Sequence, residues 1–180
     1  YDENFKEVTR YNVSKKALRR DGGPYSHCND CLVSGNSLFV SMFSYTGNWK
    51  LDVFDGVILE IDLDTGEHLG TVIDDLWMPH NVQLVDGSLA CLDSLRGDLR
   101  FNNMMVQGSF PAFTRGLYYD NNYFFIGQSR NRNFSKTIGL SNNISVDAGI
   151  IVFDNVTKVS RFLQLPPKLS EIHAISESLS

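Results

Sequence analysis

The chain has 180 residues, 42% hydrophobic and 12% aromatic, which is enough apolar matter to bury the core of one globular domain and excludes a disordered segment. Its net charge of -5 denies it the broad Lys/Arg field that phosphate backbones require, so nucleic acid is not an expected partner. No run approaches the ~20 apolar residues that span a bilayer, and three cysteines form an odd set that suits a reducing compartment, so a cytoplasmic location is expected.

In chain order, FKEVTRYNV (5–13) reads as an outer strand of an adjoining unit, and 15–20 is the one short helical candidate. Then a pattern begins and repeats. CLVSGNSLFVSMFS, NVQLVDGSLACLDS and GLYYDNNYFFIGQS are each two apolar strands around a polar turn, at Ser34-Gly35-Asn36, Asp86-Gly87 and Asp120-Asn121-Asn122. A second strand pair follows the first hairpin (GVILEIDLDTGEHLGTVI) and the third (GIIVFDNVTKVSRFLQL). The middle unit is shorter, with DLRFNN and MMVQGS as its candidates.

Four successive antiparallel strands, repeated, are the sequence form of β-propeller blades, so the fold class is all-β. The expected blades are about 26–76, 77–110 and 111–165, with 1–25 and 166–180 belonging to adjoining blades. EIHAISES (171–178) is the expected innermost strand of the fourth. Three blades do not close a ring, so the remainder is expected from a longer polypeptide or a second copy.

Connectivity locates the functional face. In an antiparallel hairpin the start of the first strand and the end of the second share one end, and the long polar stretches 45–56 and 130–148 fall there. That end also receives the strand starts HCND, PHNV, FTRG and SEIH. Aligned on the turns, Asn29, Asn81 and Arg115 are expected to be equivalent, flanked by His27 and His80, with Glu171 and His173 heading the fourth inner strand. Asp93 and Gln128 end second strands in the next ring outward. Arg130, Arg132 and Lys136 add cations, Tyr45 and Trp49 are expected to wall the pocket with Arg130, and His68 is expected on the opposite face, solvated and without a role. Arg beside neutral His suits an anionic or heavily hydroxylated ligand, because a guanidinium offers a two-pronged fork to carboxylate or phosphate.

Other motifs carry less. Cys28-x-x-Cys31 has no second ligand pair for zinc and reads as small buried apolar side chains. Arg96-Gly97-Asp98 reads as a turn. No Walker loop, G-x-S-x-G elbow or H-E-x-x-H is present, which disfavours the enzyme classes built on them and leaves catalysis undecided.

FPAFTRGLYY, FFIGQSRNRNFS, DAGIIVFD and FLQLPPKLSEIHAI resemble the signature of an uncharacterised group of bacterial propeller proteins encountered alongside glycosyltransferases and polysaccharide assembly. The likeness covers roughly 77–176 and is weaker over the first blade. It implies a propeller, marks Arg115, Gln128, Arg130 and His173, and suggests a carbohydrate context. A more distant likeness to gluconolactonase and regucalcin-type propellers implies a divalent cation such as Ca²⁺ on Asn29, Asn81, Asp93 and Glu171, although the Gly-rich Asn-Asp-Gly segment of those hydrolases is absent. The leading expectation is a small-molecule or glycan site on the propeller axis that needs no cofactor. A metal-dependent lactonase-like hydrolase and a protein-interaction scaffold are the alternatives.

Overall fold

The computed structural model describes residues 6–7, 9–11, 13, 25–101, 105–132 and 144–177. The helical candidate at 15–20, Lys136 and the centre of the 130–148 stretch lie outside them. The protein is all-β, and the described residues form three four-stranded antiparallel sheets, each made of consecutive strands. The first sheet holds β1 (Cys28–Ser34), β2 (Ser37–Met42), β3 (Gly56–Asp62) and β4 (His68–Leu76). The second holds β5 (His80–Val85), β6 (Ser88–Asp93), β7 (Asp98–Phe101) and β8 (Val106–Ser109). The third holds β9 (Phe113–Asp120), β10 (Tyr123–Ser129), β11 (Gly149–Asp154) and β12 (Ser160–Gln164).

The hairpins form where residues tolerate positive φ: Gly35, Asp86-Gly87 and Asn121-Asn122 all adopt it. The closing pairs Ser34↔Ser37, Val85↔Ser88 and Asp120↔Tyr123 make all three loops two residues long. The first and third are one residue shorter than the turns expected from the sequence, so the strand starts align one residue differently. Counted back from the turns, Asn29, His80 and Arg115 are the true equivalents, and Asn81 corresponds to Asp30 and Gly116.

The sheets stack face to face with their first strands side by side, β1 against β5 and β5 against β9. Alternation of apolar residues along each strand fills the gaps. Ile58, Ile73, Leu76, Val82 and Leu89 lie between the first two sheets. Leu92, Leu99, Phe110, Leu117, Phe124, Ile126 and Phe153 lie between the second and third. Each such fully buried side chain stabilises the fold by about 1.5–3 kcal/mol relative to exposure.

Asx side chains at the strand starts stitch neighbouring sheets. Asn29 Nδ2 donates to the Pro79 carbonyl at 2.7 Å, the Val82 N–H donates to Asp30 at 2.8 Å, and the Gly116 N–H donates to Asn81 Oδ1 at 2.6 Å. Two flanking segments lie outside the three sheets. The described residues of 5–13 form no strand, and Tyr11 and Val13 instead cover the outer apolar face of the first sheet. Residues 171–177 form no sheet ladder, and Ile172 is held by Ser129 Oγ, which bonds both its N–H and its carbonyl.

Candidate functional site

Each first strand begins with a register irregularity, between Cys28 and Asp30, between His80 and Val82, and opposite Ile126/Gln128. A bulge swings the adjoining side chains out of the regular pleat. At β5 and β9 the side chains so placed are His80 and Arg115, and both line a cavity of about 310 Å³ at this end of the sheets.

One wall is aromatic and apolar, built by His27, Phe43, Trp49, Met78, His80 and Phe113. The His27 ring packs 4.2 Å from Phe43 and 5.0 Å from Trp49, while His80 meets Phe43 and Phe113 edge-on at 5.1 and 5.5 Å. Trp49 is placed by its loop. Ser44 Oγ donates to Asp55 and accepts the Asn48 N–H, the Thr46 N–H donates to Asp55, and a short 3-10 turn, Trp49–Leu51, closes the stretch. Burial acts to raise the Asp55 carboxyl, but hydrogen bonds from Ser44 and Thr46 outweigh it and hold the group below its ordinary range.

His80 is buried, and its Nδ1 lies 3.0 Å from the Met78 carbonyl and 2.7 Å from Ser94 Oγ. Burial, reinforced by the charge of Arg115, lowers its pKa to about 3, so it is neutral at physiological pH. Burial also lowers His27, with the nearby charges of Lys50 and Arg115 adding to the effect.

The rest of the lining is polar and charged and comes from β9, the end of β10 with the residues after it, and the segment after β12: Arg115, Ser129, Arg130, Arg132, Glu171 and His173. Arg115 Nη2 donates to His173 Nδ1 at 2.6 Å, and its Nη1 lies 3.4 Å from Glu171. Glu171 also pairs with Arg132 at 2.9 Å and lies 3.3 Å from His173 Nε2. Because Arg115 can only donate, His173 Nδ1 is an acceptor and the proton sits on Nε2, facing Glu171.

Eight expected positions therefore share one cavity: His27, Trp49, His80, Arg115, Arg130, Arg132, Glu171 and His173. Asn29, Asn81, Asp93 and Gln128 do not line it. Asn29 and Asn81 spend their amides on the inter-sheet bonds, and Ser41 also donates to Asn29. Asp93 is completely buried, accepts the Trp77 N–H at 2.7 Å and pairs with Arg96 and Arg100 at 3.1 and 3.5 Å. Gln128 is buried and donates to Ser145 Oγ and the Asp147 carbonyl, both at 2.7 Å, fixing the returning chain. The cation-ligand set Asn29, Asn81, Asp93 and Glu171 is consequently not brought together, since only Glu171 reaches the cavity. Among the described residues no group of three or more His, Cys, Asp or Glu is placed to hold a metal ion.

Other expectations sort similarly. Tyr45 lines a separate pocket with Phe54, Asp74 and Asp75 rather than this cavity. His68 begins β4 on the far side and is half-buried rather than solvated. Cys28 and Cys31 are exposed, and only Cys91 is buried. Arg96-Gly97-Asp98 is a turn, with Arg96 stacked 4.6 Å over Trp77 and an added Cβ at Gly97 colliding with the Phe110 carbonyl. Sequence reasoning missed Met78 and Phe113 as cavity residues. Both occupy the His27 position in their sheets, a match that correct turn lengths would have exposed.

Fold and cavity thus define an all-β protein of repeated four-stranded sheets with a half-aromatic, half-charged hollow at one end. Residues 29–177 match a family described as a domain of unknown function, DUF4915, and the chain belongs to that family. No curated protein is similar to it in sequence. Among solved structures, the computationally designed Ika4 protein is similar at 15% identity and a TM-score of 0.53, over 90% of this chain and 84% of that one. The computationally designed Ika8 protein is similar at 15% identity and a TM-score of 0.52, over 86% of this chain. The chain spans 41% of the Ika8 length. Both likenesses concern the fold. No helix among the described residues is long and apolar enough to cross a membrane.

Proposed function

We propose that the three sheets are consecutive blades of a β-propeller and that the cavity at their first-strand ends binds a sugar-containing or anionic small molecule. The side-by-side packing of β1, β5 and β9 supports the propeller reading, because first strands are innermost when blades surround an axis. The ligand reading rests on one observation. Arg115 faces a hollow of about 310 Å³ together with Arg130 and Arg132, against a wall of aromatic rings.

Among the described residues three guanidinium groups and one carboxylate, Glu171, line this hollow, a local excess of positive charge in a chain of net charge -5. Planar cationic forks recognise carboxylate and phosphate oxygens in pairs, and aromatic faces pack on the apolar faces of sugar rings. The molecule is held by Arg115 and Arg130, with Trp49 and Phe113 against its body.

Calorimetric titration with hexuronates, sugar phosphates and nucleotide sugars tests this. The Arg115→Ala protein is expected to bind the best of them at least about tenfold more weakly, a loss of ~1.4 kcal/mol or more. An unchanged affinity in a variant that keeps its melting temperature would overturn the assignment.

A further inference from the structure

The two parts of the cavity lining differ in hydrogen-bonding sense as well as polarity. His80 Nδ1 lies 3.0 Å from the Met78 carbonyl, which only accepts, and 2.7 Å from Ser94 Oγ, which can accept as well, so a ring proton on Nδ1 is the arrangement that suits both neighbours. Its Nε2 is then a bare lone pair. Nε2 makes no hydrogen bond among the described residues, and the ring lines the cavity.

In the same cavity Arg115, Arg130 and Arg132 can only donate. An anionic oxygen placed at His80 would face a lone pair, whereas at Arg115 it would face N–H groups. A hydroxyl satisfies the requirement at His80, because it donates.

We infer that His80 is a specificity-determining residue whose Nε2 accepts a hydrogen bond from a ring hydroxyl of the ligand. The ligand class is then a monosaccharide bearing one anionic group, its acid end on Arg115 and a hydroxyl-bearing edge on His80. This rests on the anion-binding role proposed for Arg115 and adds the orientation and the demand for a hydroxyl donor. The volume suits one sugar ring, at the small end of small-molecule pockets. Phe43 and Phe113 meet the imidazole edge-on, and the Met78 carbonyl and Ser94 Oγ hold its Nδ1 at 3.0 and 2.7 Å, so the ring is positioned before any ligand arrives.

The experiment measures binding of four kinds of probe to the intact protein by calorimetry and ligand-observed NMR. D-glucuronate and D-galacturonate carry ring hydroxyls and a carboxylate, D-glucose 6-phosphate carries a phosphate, cyclohexanecarboxylate lacks hydroxyls, and D-glucose and D-galactose lack the charge. The expected result is a hydroxylated acid binding at least about tenfold tighter than both cyclohexanecarboxylate and the neutral sugars, and the phosphate arm identifies which acid is preferred. His80→Phe, which keeps the edge-on packing, is expected to erase the advantage over cyclohexanecarboxylate while leaving that acid's own affinity within about twofold. Should the variant fail to fold, the probe series on the natural chain decides alone.

If cyclohexanecarboxylate binds as tightly as the hydroxylated acids, the role of His80 is overturned and that of Arg115 stands. Neutral sugars binding as tightly as the acids overturn the Arg115 assignment, and no binding by any acid overturns both.

Discussion

Two carboxylates in this protein each sit between two arginines, and they do opposite things. Asp93, at the end of β6, is completely buried between Arg96 and Arg100 and also accepts the Trp77 N–H. Glu171, after β12, lies between Arg115 and Arg132 but opens onto the cavity. The first cluster is closed by tertiary packing, with Arg96 stacked on Trp77 and also bonded to Asp75 at 3.0 Å. The second keeps solvent on one side. The same ion-pair chemistry is structural where water is excluded and available to a ligand where it is not.

The largest expected effect comes from removing the closed carboxylate. Asp93→Ala removes the buried acceptor of the Trp77 N–H and the carboxylate that Arg96 and Arg100 share, leaving Arg96 with Asp75 and Arg100 with Asp98, and is expected to cost on the order of 3 kcal/mol, whereas Glu171→Ala should cost less than about 1 kcal/mol. Urea unfolding of both variants measures this, and equal losses would break the comparison.

The next effect is in pH. Burial raises Asp93 from 3.8 to about 7, against the opposing pull of Arg96 and Arg100. The folded chain then holds this proton more tightly than the unfolded chain. Its contribution to stability is full below about pH 4 and is lost as pH rises through about 7.

His80 has the opposite sign. Burial lowers it from 6.5 to about 3, so its contribution is full above pH 6.5 and is lost as pH falls through about 3. The two offset one another where their windows overlap. Asp93→Asn should unmask His80, so that stability falls on acidification from pH 6.5 to 4 by on the order of a few kcal/mol. A variant whose unfolding midpoints run parallel to the natural protein's would show that Asp93 does not titrate there.

The smallest effect sharpens the contrast from the open side. Glu171→Gln removes the counter-charge of Arg115 and Arg132 while keeping a similar shape. It should leave the melting temperature within a few degrees, a change under about 1 kcal/mol, while anionic ligands bind severalfold tighter. Weaker binding would mean that Glu171 contacts the ligand favourably instead of competing with it.

Much of the architecture was legible from local pattern. Period-two alternation around Asp86-Gly87 and Asn121-Asn122 fixes hairpins, because those residues accept positive φ at little cost. The gathering of His27, His80, Arg115, Glu171 and His173 at one end followed from connectivity alone. The errors lie where distance along the chain says nothing about the partner. Asn29, Asn81 and Gln128 look like site residues because they are polar and stand at strand ends, yet each bonds a backbone group or side chain many positions away.

What the sequence determined by itself is the repeated strand order and the end of the sheets where histidine and arginine collect, because both depend on short-range periodicity and turn chemistry. Tertiary structure decided which polar side chain faces the cavity and which is consumed between sheets. A single bulge or a one-residue change in turn length exchanges those fates, and only packing against the neighbouring sheet sets it.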